Sequence, residues 1–360
     1  SVIFKNKPLY YTNTLDSLVE FTIPNLKEGR YLLAAVKDVS KNYVFDPSID
    51  KIDVISEPIT LPNDSLFSLS LFKEDPDFAF GRAYQAGKQR VGFGYTGSPD
   101  FDIVLEGELP DSFASVVSRD RETDTVYYWY KGIEVDSLKF TLKHNTLTKS
   151  YDYRIRKAEP DSLKVTVVQN GTLQLVDTVK IRTNTPLKDF DVDAISLLDK
   201  DSVSVPFKLA QNNKHELQML FDVFPNENYQ LQLLPGAITD FFDVTHDTLA
   251  VKLNTKSRVD YGNLSLRLGN VPSFPIFIDL LDEKEEIKRS VYATEPRGVF
   301  RFAYLRPNKY YIRVRIDENA NGKWDTGHYL KKQKPEAVYH FESQLDVRAN
   351  WELQEQFILK

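Results

Sequence analysis

The sequence predicts an all-β chain built as tandem β-sandwich domains with very little helix. Phe, Tyr, Val and Thr gather in short runs, and 23 Phe and 19 Tyr stand against one Met. Such residues suit a pleated, half-buried surface. The triplet Asp-Ser/Thr-Leu/Val recurs at Asp16, Asp64, Asp124, Asp136, Asp161, Asp177, Asp201 and Asp247. Asp and Ser/Thr side chains bond their own nearby backbone in turns, and the Leu or β-branched residue after them opens a strand. The third observation is a repeat. From Phe21 the chain reads FTIPNLKEGRYLLAAVKDVSKNYVFD, and from Phe300 it reads FRFAYLRPNKYYIRVRIDENANGKWD. At an offset of 279, with no gap, Phe21 aligns with Phe300, Leu26 with Leu305, Tyr31 with Tyr310, Asp38 with Asp317, Asn42 with Asn321 and Asp46 with Asp325. Two domains of one type therefore bracket the chain.

Residues 1–75 form the first repeat domain. Its twin has an apolar run, Pro272 to Leu280, just before the residue that aligns with Ser1. That run reads as an opening strand with no equivalent in the first copy. The chain opens Ser-Val-Ile with no signal peptide, which reads as a cut in a longer protein. Truncation is the expected cause of the absent strand, the alternative being a strand supplied by another segment. Residues 76–180 hold strand-like runs, Tyr127-Tyr-Trp-Tyr130 among them, and form a second sandwich. Asn170-Gly171, between Val165-Thr-Val-Val168 and Leu173-Gln-Leu-Val176, predicts a tight hairpin. Residues 181–270 form a third sandwich, entered through Ile181-Arg-Thr-Asn-Thr-Pro186. Ala210 to Leu220 and Gly236 to Phe242 are the only stretches read as short helical turns.

Residues 271–360 form the second repeat domain. Ile312, Val314 and Ile316 point one way there and Arg313 and Arg315 the other, the alternation of a half-buried strand with a solvated face. Ala34 and Val36 replace those arginines in the first copy. Its outward face is apolar and is expected to pack on a neighbouring domain or a partner.

A net charge of −6 with no Lys/Arg block excludes a nucleic-acid footprint. The longest apolar run, Phe274 to Leu281, is broken by Pro275 and Asp279 and falls well short of the ~20 residues that span a bilayer. Cysteine is absent, which removes disulfides, thiolate catalysis and Cys-based zinc sites and points to an extracytoplasmic compartment.

Leu305-Arg-Pro-Asn-Lys-Tyr310, the strand after it and the Asp-rich hairpin beyond resemble the carboxypeptidase-regulatory, or prealbumin-like, sandwich. Leu26-Lys-Glu-Gly-Arg-Tyr31 carries the same phrase in the first copy. Tyr229-Gln-Leu-Gln-Leu-Leu-Pro-Gly-Ala-Ile-Thr-Asp240, followed by Asp247-Thr-Leu, resembles the bacterial Ig-like domain, and residues 76–180 read as an Ig-like sandwich. The order of domains is similar to the C-terminal part of large Ig-like outer-membrane lipoproteins of the Bacteroidota. The resemblance implies an outer-membrane or cell-surface location, with the membrane reached only through a lipid anchor outside this chain. It implies no chemistry.

One segment has the pattern of a metal loop. Asp317, Asn319, Asn321 and Asp325 place oxygen ligands at positions 1, 3, 5 and 9 of an EF-hand-like loop, with Gly322 at the turn and the Lys323 carbonyl at position 7. Ca2+ is the ion this set suits, yet His328 stands where a bidentate Glu belongs. The other reading is a long hairpin turn whose Asp and Asn cap their own backbone. In the first copy Asp38, Ser40, Asn42 and Asp46 keep the spacing, with Tyr43 in place of the Gly. Tyr127 and Trp129 share one strand face and read either as a sugar-stacking platform or as a central strand whose Trp fills a sandwich core. The five His are scattered and no nucleophile elbow, Walker loop or His-Glu-x-x-His pair occurs, so no catalytic residue is expected and the chain is read as no enzyme. The expected role is structural: bracing or presenting a surface for a protein partner at the outer membrane. The alternatives are a glycan-binding module and a positioning module for a catalytic part outside this chain.

Overall fold

The computed structural model describes residues 3, 5–14 and 20–360; the Asp16 triplet lies outside them. Regular structure is strand, with 3-10 turns at Val192–Ala194 and Arg258–Asp260. Asp124, Asp136, Asp177 and Asp247 each stand just before a strand: Thr125–Lys131, Ser137–His144, Val179–Thr183 and Leu249–Thr255. Period-two alternation decides what each strand buries. In Asn228–Leu233 the side chains of Tyr229, Leu231 and Leu233 are buried and the polar residues between them are exposed.

The second domain lays a four-stranded sheet, Ala79–Gly87, Arg90–Thr96, Thr125–Lys131 and Ala114–Arg119, against a three-stranded one, Leu147–Arg154, Ser137–His144 and Asp102–Leu105. Phe93, Tyr128, Tyr130, Phe140 and Leu142 fill the space between them. The third domain pairs Val165–Val167, Val179–Thr183, Glu216–Leu220 and Lys208–Asn213 in one sheet and Gly171–Leu173, Leu249–Thr255, Asn228–Leu233 and Ile195–Leu198 in the other. Its boundaries differ from those expected at 180 and 270. Val165–Val167 and Gly171–Leu173 already belong to this domain, while Gly262–Gly269 belongs to the next.

Two local expectations are corrected. Asn170-Gly171 turns the chain without making a hairpin: Val165–Val167 pairs with Val179–Thr183, whereas Gly171–Leu173 crosses to the other sheet and runs parallel to Leu249–Thr255. The step lets one short segment cover an edge of each sheet, and burying Leu173 in the core outweighs local turn chemistry. The stretch from Ala210 to Leu220 lies in an antiparallel hairpin, and Ile238–Asp240 is a strand. Leu217 and Met219 are buried two residues apart, the period of a strand.

The last domain sets Phe300–Leu305, Gly262–Gly269 and Glu352–Ile358 against a sheet ordered Ile287–Ala293, Ile276–Leu281, Asn308–Ile316 and Val338–His340, with Leu345–Val347 also on Asn308–Ile316. Ile312, Val314 and Ile316 face its core as expected. Arg313 and Arg315 do not simply face solvent. Both donate to the fully buried carboxylate of Asp279 at 2.8–3.2 Å, which also accepts from Ser290 Oγ at 2.8 Å. The first domain is smaller than expected: among the described residues it holds Gly29–Tyr31 paired with Ile59–Leu61 and Ala34–Lys37 paired with Lys51–Val54.

Removing one member of a buried charge group strands the others. Asp279→Asn should lower the stability of the last domain by about 3 kcal/mol, measured by urea unfolding followed through its tryptophan fluorescence.

Candidate functional site

The repeat is reproduced bond by bond. Tyr31 Oη donates to the Lys27 carbonyl at 2.9 Å, and Tyr310 Oη donates to the Arg306 carbonyl at 3.0 Å. Each is a tyrosine corner that pins the turn before its strand. The loops that follow match as well. Tyr43 N donates to Asp38 Oδ2 at 2.6 Å, as Gly322 N does to Asp317 Oδ2 at 2.9 Å. Val44 N donates to Asn42 Oδ1 at 2.7 Å, and Lys323 N to Asn321 Oδ1 at 2.8 Å. Tyr43 holds φ +64° where Gly322 holds +79°, so the backbone shape persists at a position that costs a residue with a Cβ.

Two carboxylates that sequence reasoning missed close these loops. Asp50 accepts from Val39 N and Asp46 N, both at 2.9 Å. Glu336 accepts from Glu318 N and Asp325 N, both at 2.8 Å, and from Asn319 N at 3.3 Å. Both residues are buried. Glu336 lies seven residues beyond the position that the offset gives Asp50. A gapless alignment ends before it, which is why the acid was hidden. The signal was available: an acidic residue follows each Asp-rich phrase once an insertion is allowed.

Of the five ligands expected in the second loop, three side chains converge. Asn319 Nδ2 and Asn321 Nδ2 both donate to Asp325 Oδ2, at 2.5 and 2.8 Å. Asp317 stands apart. Its oxygens accept from Asn321 N, Gly322 N and the Tyr292 hydroxyl. Burial acts to raise the pKa of Asp317, and the bonds from Tyr292, Gly322 and Asn321 outweigh it and hold the group below the usual carboxylate range. Lys323 enters through its backbone, donating to Asn321 Oδ1. In the first loop Asp38, Asn42 and Asp46 serve separate turns, Asp46 accepting from Ser48 N and Ser48 Oγ, and Ser40 is exposed. Among the described residues no group of three or more His, Cys, Asp or Glu is placed to hold a metal.

The insertion that separates Asp325 from Glu336 reaches the first domain. Thr326 Oγ1 donates to the Lys73 carbonyl at 2.5 Å, Tyr329 N to the Glu74 carboxylate, and Lys334 Nζ to the Asp53 carboxylate and the Val54 carbonyl. Tyr329 packs on Phe45, Ile52 and Phe72 of the first domain. Ala34 and Val36 sit beside this contact. Their cross-strand partners are Val54 and Ile52, which belong to the cluster that Tyr329 joins. Ala34 itself is half-buried and Val36 is 38% exposed.

Trp129 is neither a platform nor a core residue of its own sandwich. Tyr128 and Tyr130 fill that core, and Trp129 lies on the opposite face with 1% of its surface exposed. The third domain covers it, through His215 at 5.7 Å and Phe242 at 6.2 Å between ring centroids. Arg90 lies over both Trp129 and the half-buried Tyr127, at 4.6 and 5.1 Å. No sugar ring reaches Trp129 in this arrangement. Its Nε1 donates to Ser118 Oγ at 2.8 Å, and Ser118 Oγ lies 2.8 Å from His215 Nε2. The Thr183 carbonyl, 3.2 Å from Nδ1, can only accept, so Nδ1 carries the proton and Nε2 of the neutral ring accepts from the Ser118 hydroxyl. His215 is neutral in this network. Burial, with Arg121 and Arg90 nearby, depresses its pKa below 6.5 against the bond to Thr183. Lys131 and Lys188 bind Asp243 at the edge of the same interface and hold its carboxyl at about 2.

No protein-family model and no curated protein matches the chain. Solved structures of tandem-domain proteins do. The major pilin subunit BcpA of Bacillus cereus aligns at 9% identity and a TM-score of 0.20, over 72% of this chain and 94% of that one. Domains 4–9 of the surface layer protein SbsC align at 9% identity and 0.26, over 83% and 53%. A tandem-domain segment of titin aligns at 8% and 0.19, over 77% and 98%. At these TM-scores the likenesses carry no argument about function.

Two outcomes are expected. A Cβ on Gly327 would meet the Phe72 ring at 2.6 Å and the Gln333 carbonyl at 2.8 Å, so Gly327→Ala should loosen the contact between the end domains at a cost of about 1–3 kcal/mol, read as faster proteolysis near residues 72–77. The unfolded chain takes up the His215 proton before the folded one does. The stability that group contributes is therefore full above pH ~6.5 and declines as pH falls. Thermal midpoints of the wild type should drop more steeply below that pH than those of His215→Asn.

Proposed function

We propose that this chain is a non-enzymatic brace: a segment of an extracytoplasmic, lipid-anchored outer-membrane protein that holds its sandwich domains in fixed relation and presents them to a protein partner. The observation that carries this reading is the double interlock. One loop of the last domain supplies Tyr329 to the first domain's apolar cluster, and the third domain buries Trp129 of the second. Polar bonds fix the orientation at each contact, through Lys334 to Asp53 and through Ser118 to His215. A flexible string of domains needs neither. The absence of cysteine agrees with an oxidising compartment, and no helix among the described residues is long and apolar enough to cross a membrane. The test is purification of the tagged full-length protein from membranes. A stoichiometric partner retained by the wild type and lost from Gly327→Ala supports the brace, and a partner-free monomer overturns it.

Ca2+ in the second loop belongs to the same reading. The donors are hard oxygens, as that ion requires: Asn319, Asn321 and Asp325 converge there, with the Lys323 carbonyl close by in sequence. An ion would take the place of the two amide N–H groups now facing Asp325, and it would stiffen the base of the segment that grips the first domain. Asp317 is spent on its own backbone, so Asp325 is the residue to change. Millimolar Ca2+ should raise the thermal midpoint of the wild type and leave Asp325→Asn unmoved; equal response in both, or none in either, rejects the site.

A further inference from the structure

The loop that joins the last domain to the first carries a histidine between two carboxylates. His328 and Gln333 exchange backbone bonds at 2.8 and 3.1 Å, so the loop holds its own shape. Residues on both sides of the histidine bond the segment that leads from the first domain into the second: Thr326 Oγ1 reaches the Lys73 carbonyl and Tyr329 N the Glu74 carboxylate. The His328 side chain is 15% exposed, with Nδ1 3.9 Å from Glu74 Oε1 and Nε2 3.7 Å from Asp77 Oδ1. These are ion-pair distances, too long for hydrogen bonds, and Nδ1 is buried with no hydrogen-bond partner. A neutral imidazole carries one N–H, so in either tautomer a bare nitrogen faces a carboxylate; the protonated ring has an N–H for each. The Glu74 side chain is almost fully buried, where attraction is little screened, while that of Asp77 is exposed. Of the other charged groups on the two segments, Lys73, Asp75, Lys331 and Lys332 are exposed. Lys334 is held by Asp53, and Glu336 by the N–H groups of its own loop.

We propose that His328 is a pH-sensitive latch that tightens the contact between the first and last domains as the surroundings become acidic. The latch gives the brace a regulation and rests on that reading. Histidine is the side chain whose charge ordinarily changes between about pH 5 and 8. When the contact is open, the ring lies in water with no carboxylate held beside it. When it is closed, Glu74 and Asp77 flank the ring. Closing therefore favours the charged ring, and its contribution is full in acid and is lost as rising pH removes the proton. His215, at the other interlock, acts in the opposite sense. Burial, with Arg121 and Arg90 nearby, disfavours its charge, so the contact of the second and third domains weakens in acid. A fall in pH thus tightens one interlock of the brace and loosens the other.

Because the two contacts respond with opposite signs, the readout must be local. Hydrogen exchange of the whole chain is followed near about pH 8 and about pH 5.5, corrected for the intrinsic pH dependence of exchange. Protection of the Phe72, His328 and Tyr329 amides should rise about three- to tenfold in acid. The rise should vanish in His328→Gln, which keeps a polar side chain that does not titrate, and shrink in Glu74→Gln. A contact equally or less protected in acid, or a rise undiminished in either variant, would overturn the proposal. The wild-type comparison needs no substitution, so a variant that loses the contact altogether leaves it decisive. A flat pH profile removes the latch and leaves the brace standing, whereas a partner-free monomer from membranes removes the brace and leaves the pH response of the contact unchanged.

Discussion

Backbone N–H groups in long turns must find acceptors, and in this chain buried carboxylates supply them. Asp240 accepts from Phe242 N and Val244 N while Thr185 Oγ1 holds its other oxygen. Asp50 and Glu336 do the same for the two Asp-rich loops, and Asp317 does it within one of them. A sandwich keeps its strands short, so many residues lie in connections with no ladder to bond to. A charged acceptor inside the turn satisfies several donors at once and fixes the loop's shape before any partner arrives.

That arrangement lets one loop do different work in two places. The backbone of residues 38–46 matches that of residues 317–325 down to the positive φ of Lys41 and Ala320, both at 56°. With the shape held by caps, side chains and loop length are free to change. In the first copy the loop simply turns. In the second it gathers two asparagines on Asp325 and then extends by seven residues to grip the first domain. The interlock at Trp129 follows the same logic: the strand's core face keeps its tyrosines, and its outer face is recruited by the neighbouring domain.

Much of the architecture was legible because it rests on periodic burial. Tyr128 and Tyr130 against Tyr127 and Trp129, or Ile312 and Val314 against Arg313 and Arg315, separate by alternation alone. What covers the second face does not follow from alternation. Trp129 looks the same in sequence whether it meets a sugar, its own core or His215 of another domain, and Arg313 looks solvated until Asp279 is placed opposite it. Local turn chemistry misled at Asn170-Gly171 for a related reason. The turn forms, but the strand after it is drawn to the other sheet by Leu173.

By itself the sequence determined the all-β class, the doubled end domain and the side each strand buries, because those depend on spacing of two along a single segment. Only the tertiary structure decided that Asp50 and Glu336 close the loops, that His215 seals Trp129, and that the first domain holds fewer strands than its twin among the described residues. Each depends on residues far apart in sequence, brought together by burial and by the need to satisfy polar groups removed from water.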